Sequence, residues 1–237
     1  MRSQLYLWDP LRQQYIDDLT FLKEMFFERI QPIFANAEAE ADAYQAELWD
    51  RFTSQPYAGD TYCDPGDYVE DIQEKAFGRY EMLQLMHYRN LAAWICNLCQ
   101  VWEQQLYSFV LREAEHEGLK YALSDTKRGF TFSKDVFEWH QQPFEQMPVW
   151  AKIRELRLLV NVIKHAEGDS EQKLRVLRPD YFIEEVCGTQ YDLMSLYHST
   201  LLEPTLMMKE QDFIDYFDAL IKFWTDLPER MYTLDEL

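Results

Sequence analysis

A continuous apolar segment constrains the fold of this chain more than any other feature. Residues 90–111, NLAAWICNLCQVWEQQLYSFVL, are apolar on nearly every side of a helix, as in a helix buried at the centre of a domain. Helical spacing extends the segment to one long helix, from Tyr68 to about Glu117. The chain has only 7 glycines and 9 prolines, which is few for a protein of many strands and turns. The sequence therefore predicts an all-α helical bundle with long antiparallel helices.

Turn-forming residues mark one boundary in the chain. Apolar residues recur at helical spacing through residues 10–53, and Pro32 is expected to kink or divide this region. The segment 53–67, TSQPYAGDTYCDPGD, has the densest proline, glycine and aspartate and predicts a loop. We therefore expect an N-terminal helical segment, 1–53, and a helical bundle, 67–237, that pack as one globular unit.

The C-terminal part of the chain predicts a short hairpin and then a helix. Residues 200–213, TLLEPTLMMKEQDF, are expected to contain a short extended pair, and residues 210–227 form an amphipathic helical pattern. Aromatic residues recur at helical spacing here and in the central segment, which indicates a core or a dimer interface. They are Trp94, Trp102, Phe109, Phe213, Tyr216, Phe217 and Trp224.

The overall charge argues against non-specific binding of nucleic acids or anionic membranes. The chain has 42 acidic and 23 basic residues, a net charge of −19. From Lys152 to Arg178, however, the chain has seven basic and four acidic residues, so the net charge of this window is +3 and that of the remainder is −22. A locally positive region on an acidic body steers an anion, or else binds the protein's own acids.

Cysteine content and hydropathy bear on the location of the protein. The four cysteines are too few and too scattered for a disulfide scaffold of this size. The first residues turn acidic too soon for a signal peptide, and no apolar run is long enough to span a bilayer. We therefore expect a cytoplasmic protein with reduced thiols and no membrane partner. Cys96 and Cys99 lie in the apolar segment and are expected to pack in the core.

A polar sector interrupts an otherwise apolar helix at residues 148–166, which include the sequence RLLVNVIKHA. On a helical wheel the polar side chains span only about 100°. Apolar side chains fill most of the remaining circle, which predicts a helix buried on most sides. The sector holds two arginines, an asparagine, a lysine and a histidine: Arg154, Arg157, Asn161, Lys164 and His165.

This set of side chains suits phosphodiester cleavage without a metal or a cofactor. His165 is the candidate general acid–base, because histidine titrates near neutral pH. Arg157 is the candidate phosphate clamp, since a guanidinium binds a phosphate through two N–H groups. Asn161 would orient either group through its amide. Lys164 and Arg154 would bind substrate through their positive charge.

A purely structural interpretation explains the same residues. Lys164 and His165 lie in a last helical turn, where cations interact favourably with the helix dipole. Arg154 and Arg157 would then pair with acids elsewhere in the bundle, such as Glu103 or Glu113. Glu113 also forms an E-x-x-H pattern with His116, which we interpret as a solvated helix end because no second such pattern exists for a di-iron site.

The pattern N-x-x-K-H on this helix, formed by Asn161, Lys164 and His165, resembles the signature helix of HEPN proteins. The resemblance is strongest over about residues 85–182. The HEPN motif has an arginine, then a polar residue that is often asparagine, and a histidine a turn or so later. Asn161 and His165 match the last two positions, but Val160 stands where the arginine is expected. Arg157 lies on the same face, at a spacing outside the family pattern.

The HEPN resemblance carries expectations about function. HEPN proteins are small helical bundles, and many are metal-independent ribonucleases of toxin–antitoxin, abortive-infection and CRISPR systems. The resemblance implies a homodimer in which the two signature helices face each other. It predicts a ribonuclease or an RNA-binding effector of bacterial defence, with a basic protein or antitoxin as a further partner. The alternative is a non-catalytic HEPN-like scaffold whose polar sector is paired internally.

Overall fold

The computed structural model describes residues 3–54, 65–116 and 129–234, and helix makes up 75% of it. The predicted all-α class is therefore confirmed. The helices are α1 (Asp9–Met25), α2 (Ala37–Ser54), α3 (Pro65–His116), α4 (Phe130–Trp139), α5 (Trp150–His165), α6 (Asp169–Leu177), α7 (Leu193–Tyr197) and α8 (Glu210–Asp226). The strands are β1 (Gln4–Tyr6), β2 (Glu184–Val186), β3 (Thr189–Tyr191) and β4 (Arg230–Tyr232).

The long helix predicted around the central apolar segment is present as α3, which has 52 residues. Its length follows from the absence of proline between its first residue and its end, where each backbone N–H can bond to the preceding turn. Pro32 lies in a 3₁₀ turn, Gln31–Phe34, directly after a π-helical turn, Phe26–Ile30. The predicted break at Pro32 therefore separates α1 from α2. None of the helices in the described ranges has the length and apolar character needed to cross a membrane.

The residues group into two compact units. One unit is Met25–Asn90, and the other combines Met1–Glu24 with Leu91–Leu237. In the smaller unit α2 runs antiparallel to the first part of α3. The rings of Phe52 and Tyr68 stack with centroids 4.6 Å apart, and Glu40 pairs with Arg79. The predicted loop 53–67, most of which lies outside the described residues, thus connects two helices of one unit.

The core of the larger unit is aromatic. Six of the seven aromatic residues predicted to lie in a core or a dimer interface are buried there, namely Trp102, Phe109, Phe213, Tyr216, Phe217 and Trp224. Trp102 of α3 meets Phe223 of α8 edge to face with ring centroids 5.2 Å apart, and Phe144 contacts the same ring at 5.2 Å. These three side chains are fully buried. Cys99 is buried too, and Cys96 is half-buried, in agreement with a packing role for both. Burial raises the pKa of the Cys96 thiol to about 11, so it stays protonated at neutral pH.

Strands β1 and β4 form an antiparallel pair that brings the two ends of the chain together, with Leu5 opposite Met231. The backbone N–H of Tyr6 donates to the Glu113 carboxylate at 2.8 Å. Glu113 is only 7% exposed, so the expectation that it lies in a solvated helix end is wrong. Its carboxylate is stabilised at this buried position by the strand N–H and by Arg112, 3.3 Å away.

A short hairpin is present in the C-terminal region, but upstream of the segment in which the sequence places it. Strands β2 and β3 pair antiparallel across a two-residue turn, Cys187–Gly188, with both residues at positive φ. Residues 200–209 contain no strand. Side-chain and backbone bonds hold that segment instead: Thr205 donates to the Ser199 carbonyl at 2.7 Å, and the Met207 N–H donates to the Tyr181 carbonyl at 2.8 Å.

Candidate nucleic-acid interface

Helix α5 has the two faces that the wheel predicts. Its apolar face is buried and comprises Ile153, Leu156, Leu159, Val160, Val162 and Ile163. Four of the five predicted polar residues are exposed on the opposite face: Arg154, Asn161, Lys164 and His165. Val160, where the HEPN motif has arginine, is 4% exposed and belongs to the core.

Three of these exposed residues, Arg154, Lys164 and His165, form no hydrogen bond or ion pair with any part of the chain that the structure describes. At 3.6 residues per turn these side chains fall within one sector of α5, with Arg154 about three turns before Lys164 and His165. We call these three residues and Asn161 the α5 face. Asn161 donates a hydrogen bond from its amide nitrogen to the Ser170 hydroxyl at 3.3 Å. The α5 face is therefore open to solvent and charged, as an anion-binding surface requires.

Arg157 sits at the edge of the α5 face and has two partners. Its Nε donates to Oε1 of Glu103 in α3 at 2.7 Å. Its guanidinium carbon lies 3.4 Å from the ring centroid of Phe130, the first residue of α4. The side chains of Arg157 and Glu103 are each 30% exposed. The structural interpretation predicted acidic partners for both arginines: Arg157 has one in Glu103, whereas Arg154 has none among the described residues.

The end of α5 is capped by residues that a sequence pattern does not reveal. Ala166 has a φ of 59°, and its N–H donates to the Val162 carbonyl at 2.8 Å. The Thr200 hydroxyl donates to the carbonyl of Ile163 at 2.7 Å. These bonds satisfy carbonyls that the last turn leaves without helical partners. Lys164 and His165, in the last turn before Ala166, stay exposed.

Three of the other four basic residues of the positive window, Lys152, Arg175 and Arg178, are neutralised within the fold. The fourth, Lys173, is exposed and forms no ion pair with a described residue. Arg178 binds three carboxylates, Glu155 at 2.7 Å, Asp180 at 2.7 Å and Asp212 at 3.0 Å. Lys152 also pairs with Glu155, at 3.0 Å. The window therefore divides into two parts, because these cations bind the protein's own acids while the α5 face does not.

Two tyrosines bond to the carboxylates around Arg178, and little in the sequence predicts them as polar partners. The Tyr216 hydroxyl donates to Glu155 at 2.9 Å and lies 2.8 Å from the Tyr181 hydroxyl. Burial raises the pKa of both phenols, which therefore stay protonated and can donate at neutral pH. Tyr216 appears in the sequence only as part of an aromatic helical stripe. The one sequence feature that indicates a polar role for Tyr216 is its position four residues after Asp212, on the same helix face.

The described residues contain no group of three or more histidine, cysteine or acidic side chains placed to hold a metal ion. Comparison of the chain with protein-family models, with curated proteins and with solved structures found no match.

Proposed function

We propose that this protein is a HEPN-like ribonuclease or RNA-binding effector of a bacterial defence or toxin–antitoxin system. The observation that supports the proposal is the α5 face. In a chain of net charge −19, Arg154, Lys164 and His165 stand together on one helix without acidic partners in the described ranges. A phosphate ligand needs such cations exposed and without acidic partners.

The proposed roles follow from the chemistry of each side chain. His165 transfers the proton from a ribose 2′-hydroxyl or to the leaving oxygen, since imidazole exchanges protons near neutral pH. Asn161, one turn earlier, orients the reacting group through its amide. Arg154 and Lys164 bind flanking phosphates, and Arg157 binds the phosphate that reacts.

Assembly forms part of the proposal. Two copies of α5 facing each other would place two histidines in one cleft, so we propose a homodimer. Light scattering should then give about twice the 28.6 kDa mass of the chain. The acidic remainder of the surface repels RNA away from the cleft and suits a basic antitoxin or other basic partner that restrains the activity.

Incubation of the purified protein with total RNA, with and without EDTA, tests the proposal. We expect cleavage at defined ends that EDTA does not prevent, because the scheme uses no metal. His165→Ala should abolish this cleavage while the fold persists. The side chain is exposed at a helix end, so its loss should cost on the order of 1 kcal/mol of unfolding free energy or less. Equal cleavage by His165→Ala and the parent would exclude His165 as the proton-transfer group.

A non-catalytic HEPN-like scaffold is the second candidate function. It is favoured by the contact between Arg157 and Glu103, since an arginine neutralised by the fold has a structural role of its own. In a scaffold the parent protein would neither bind nor cleave RNA, and Arg157→Ala would lower stability alone. RNA binding without cleavage would indicate an RNA-binding effector in place of a ribonuclease.

A further inference from the structure

Four arginines of the larger unit lie over aromatic rings. One of them, Arg230, lies 4.3 Å from the Tyr6 ring centroid and bonds to Gln4 at the surface. The other three are part of the helical region around α5, and their remaining contacts differ. The guanidinium carbon of Arg157 is 3.4 Å from the Phe130 ring centroid, that of Arg178 is 3.8 Å from Tyr181, and that of Arg175 is 4.1 Å from Phe182. Stacking fixes the plane of a guanidinium. The contacts made in that plane then decide whether donors are left for a ligand.

In Arg175 and Arg178 every guanidinium nitrogen has a partner inside the fold. Arg175 binds Glu171 through Nε, Asp192 through Nη1 at 2.6 Å, and the same carboxylate through Nη2 at 3.4 Å. Arg178 likewise uses Nε, Nη1 and Nη2, toward Asp180, Glu155 and Asp212. Each of these two arginines therefore holds the structure together and offers no edge to a ligand.

Arg157 is held from one side only. Its Nε donates to Glu103 at 2.7 Å, while Nη1 and Nη2 form no hydrogen bond with a described residue. Because Phe130 fixes the plane and Glu103 fixes the rotation within it, the two terminal amino groups have a defined direction. Two parallel N–H donors on a planar group match two oxygens of a phosphate. The side chain is 30% exposed, so this edge is accessible.

The electrostatics around Arg157 also suit an anion. Arg157 and Lys164 are seven residues apart on α5, which places the two cations on the same side of that helix. Burial, the largest effect, raises the pKa of the Cys99 thiol, so Cys99 stays uncharged at neutral pH and does not neutralise the two cations. Glu103 is the one carboxylate that pairs with Arg157 in the described ranges.

We propose that Glu103 and Phe130 are positioning residues that hold Arg157 with its two terminal amino groups toward an RNA phosphate. This inference rests on the proposed function and adds the device that orients the clamp.

The change in RNA affinity caused by Glu103→Ala shows whether Glu103 positions Arg157 or only neutralises its charge. Glu103→Ala removes a negative charge next to a proposed phosphate site. If Glu103 only neutralises Arg157, the variant should bind RNA more tightly. If Glu103 positions Arg157, the released side chain loses its direction, and affinity should fall by about threefold or more in spite of the charge gained. Glu103→Gln, which keeps an acceptor oxygen, should retain most of the affinity.

The probe is a fluorescein-labelled single-stranded oligouridylate, with affinity measured by anisotropy and folding by circular dichroism. Glu171→Ala is the matched control, because it removes the same charge from the partner of another stacked arginine, Arg175. Both terminal amino groups of Arg175 are already bonded to Asp192. Glu171→Ala should leave affinity unchanged or slightly raised. In an Arg157→Ala background Glu103→Ala should have no further effect, because Glu103 acts through Arg157.

Each result decides the proposal. Affinity of Glu103→Ala equal to or above that of Glu171→Ala overturns the positioning role while the RNA-binding function stands. If the parent does not bind the oligonucleotide, the proposed function fails, and inorganic pyrophosphate then tests the site alone. Pyrophosphate binding that Glu103→Ala weakens supports the positioning role, and no binding of either probe overturns it.

Discussion

At the scale of single residues, burial explains the valine at position 160, where the HEPN motif has an arginine. The position is 4% exposed and belongs to the apolar face of α5. An arginine there would carry its charge into the core, at a desolvation cost. In the proposed function the cationic role therefore belongs to residues on the exposed face and to Arg157 at its edge.

This explanation predicts the effect of restoring the motif. Val160→Arg should lower the free energy of unfolding by about 3 kcal/mol or more, because it buries an unpaired charge and crowds the core. Urea denaturation followed by circular dichroism measures the loss. Asn161→Arg, the same gain of charge one residue later on the exposed face, should change stability by less than about 0.5 kcal/mol. Equal midpoints for the two variants would show that position 160 tolerates charge and that burial does not explain the departure.

The sequence predicts some of these residue environments and not others. The wheel places Arg154, Asn161, Lys164 and His165 on one face because a helix relates residues by a fixed angle. The partner of Arg157 could be named only as one of several acids. Glu103 lies 54 positions away in the chain, and a local pattern carries no information on which helices meet. The buried position of Glu113 was missed for the same reason, since it depends on a strand 107 residues earlier.

At the scale of elements, a polar cluster fixes α5 against α8 and the 3₁₀ turn that follows α6, Pro179–Tyr181. Tyr216 of α8 is fully buried and donates to Glu155 of α5 at 2.9 Å.

Tyr216→Phe removes that donor and leaves a largely buried carboxylate with one bond fewer. The unfolding free energy should fall by about 1–2 kcal/mol, measured by urea denaturation. Tyr197→Phe, at an exposed position, is the control and should leave stability unchanged. No loss in Tyr216→Phe would mean that the cluster does not stabilise this contact.

The elements differ in how well the sequence predicts them. The long helix is predictable because its apolar residues repeat through many turns without a proline. Strands of three residues carry too few alternations to be detected, and β1 pairs with a strand at the other end of the chain. The hairpin β2–β3 has Cys187 and Gly188 in its turn, a pair without the usual asparagine or aspartate signal. The expected hairpin was therefore placed in a neighbouring loop.

At the scale of the whole molecule, the distribution of charge matters more than the total. A net charge of −19 repels RNA over most of the surface. Arg154 and Lys164 are locally positive because the fold leaves them without acidic partners among the described residues. Binding of RNA should therefore depend on a few phosphate contacts at one place, and removal of those contacts should have a large effect.

The most direct test of this central claim is the salt dependence of affinity for a labelled single-stranded RNA. The parent is compared with Arg154→Ala/Lys164→Ala and with a control, Arg51→Ala/Lys75→Ala, which removes the same charge from two exposed residues of the smaller unit. We expect Arg154→Ala/Lys164→Ala to bind the RNA at least about tenfold more weakly than the parent. The slope of log affinity against log salt should fall by about 1 to 1.5, for two lost phosphate contacts. The control should match the parent in affinity and slope. Equal affinities and slopes for the two double variants, or no binding by the parent, would contradict an RNA interface on α5.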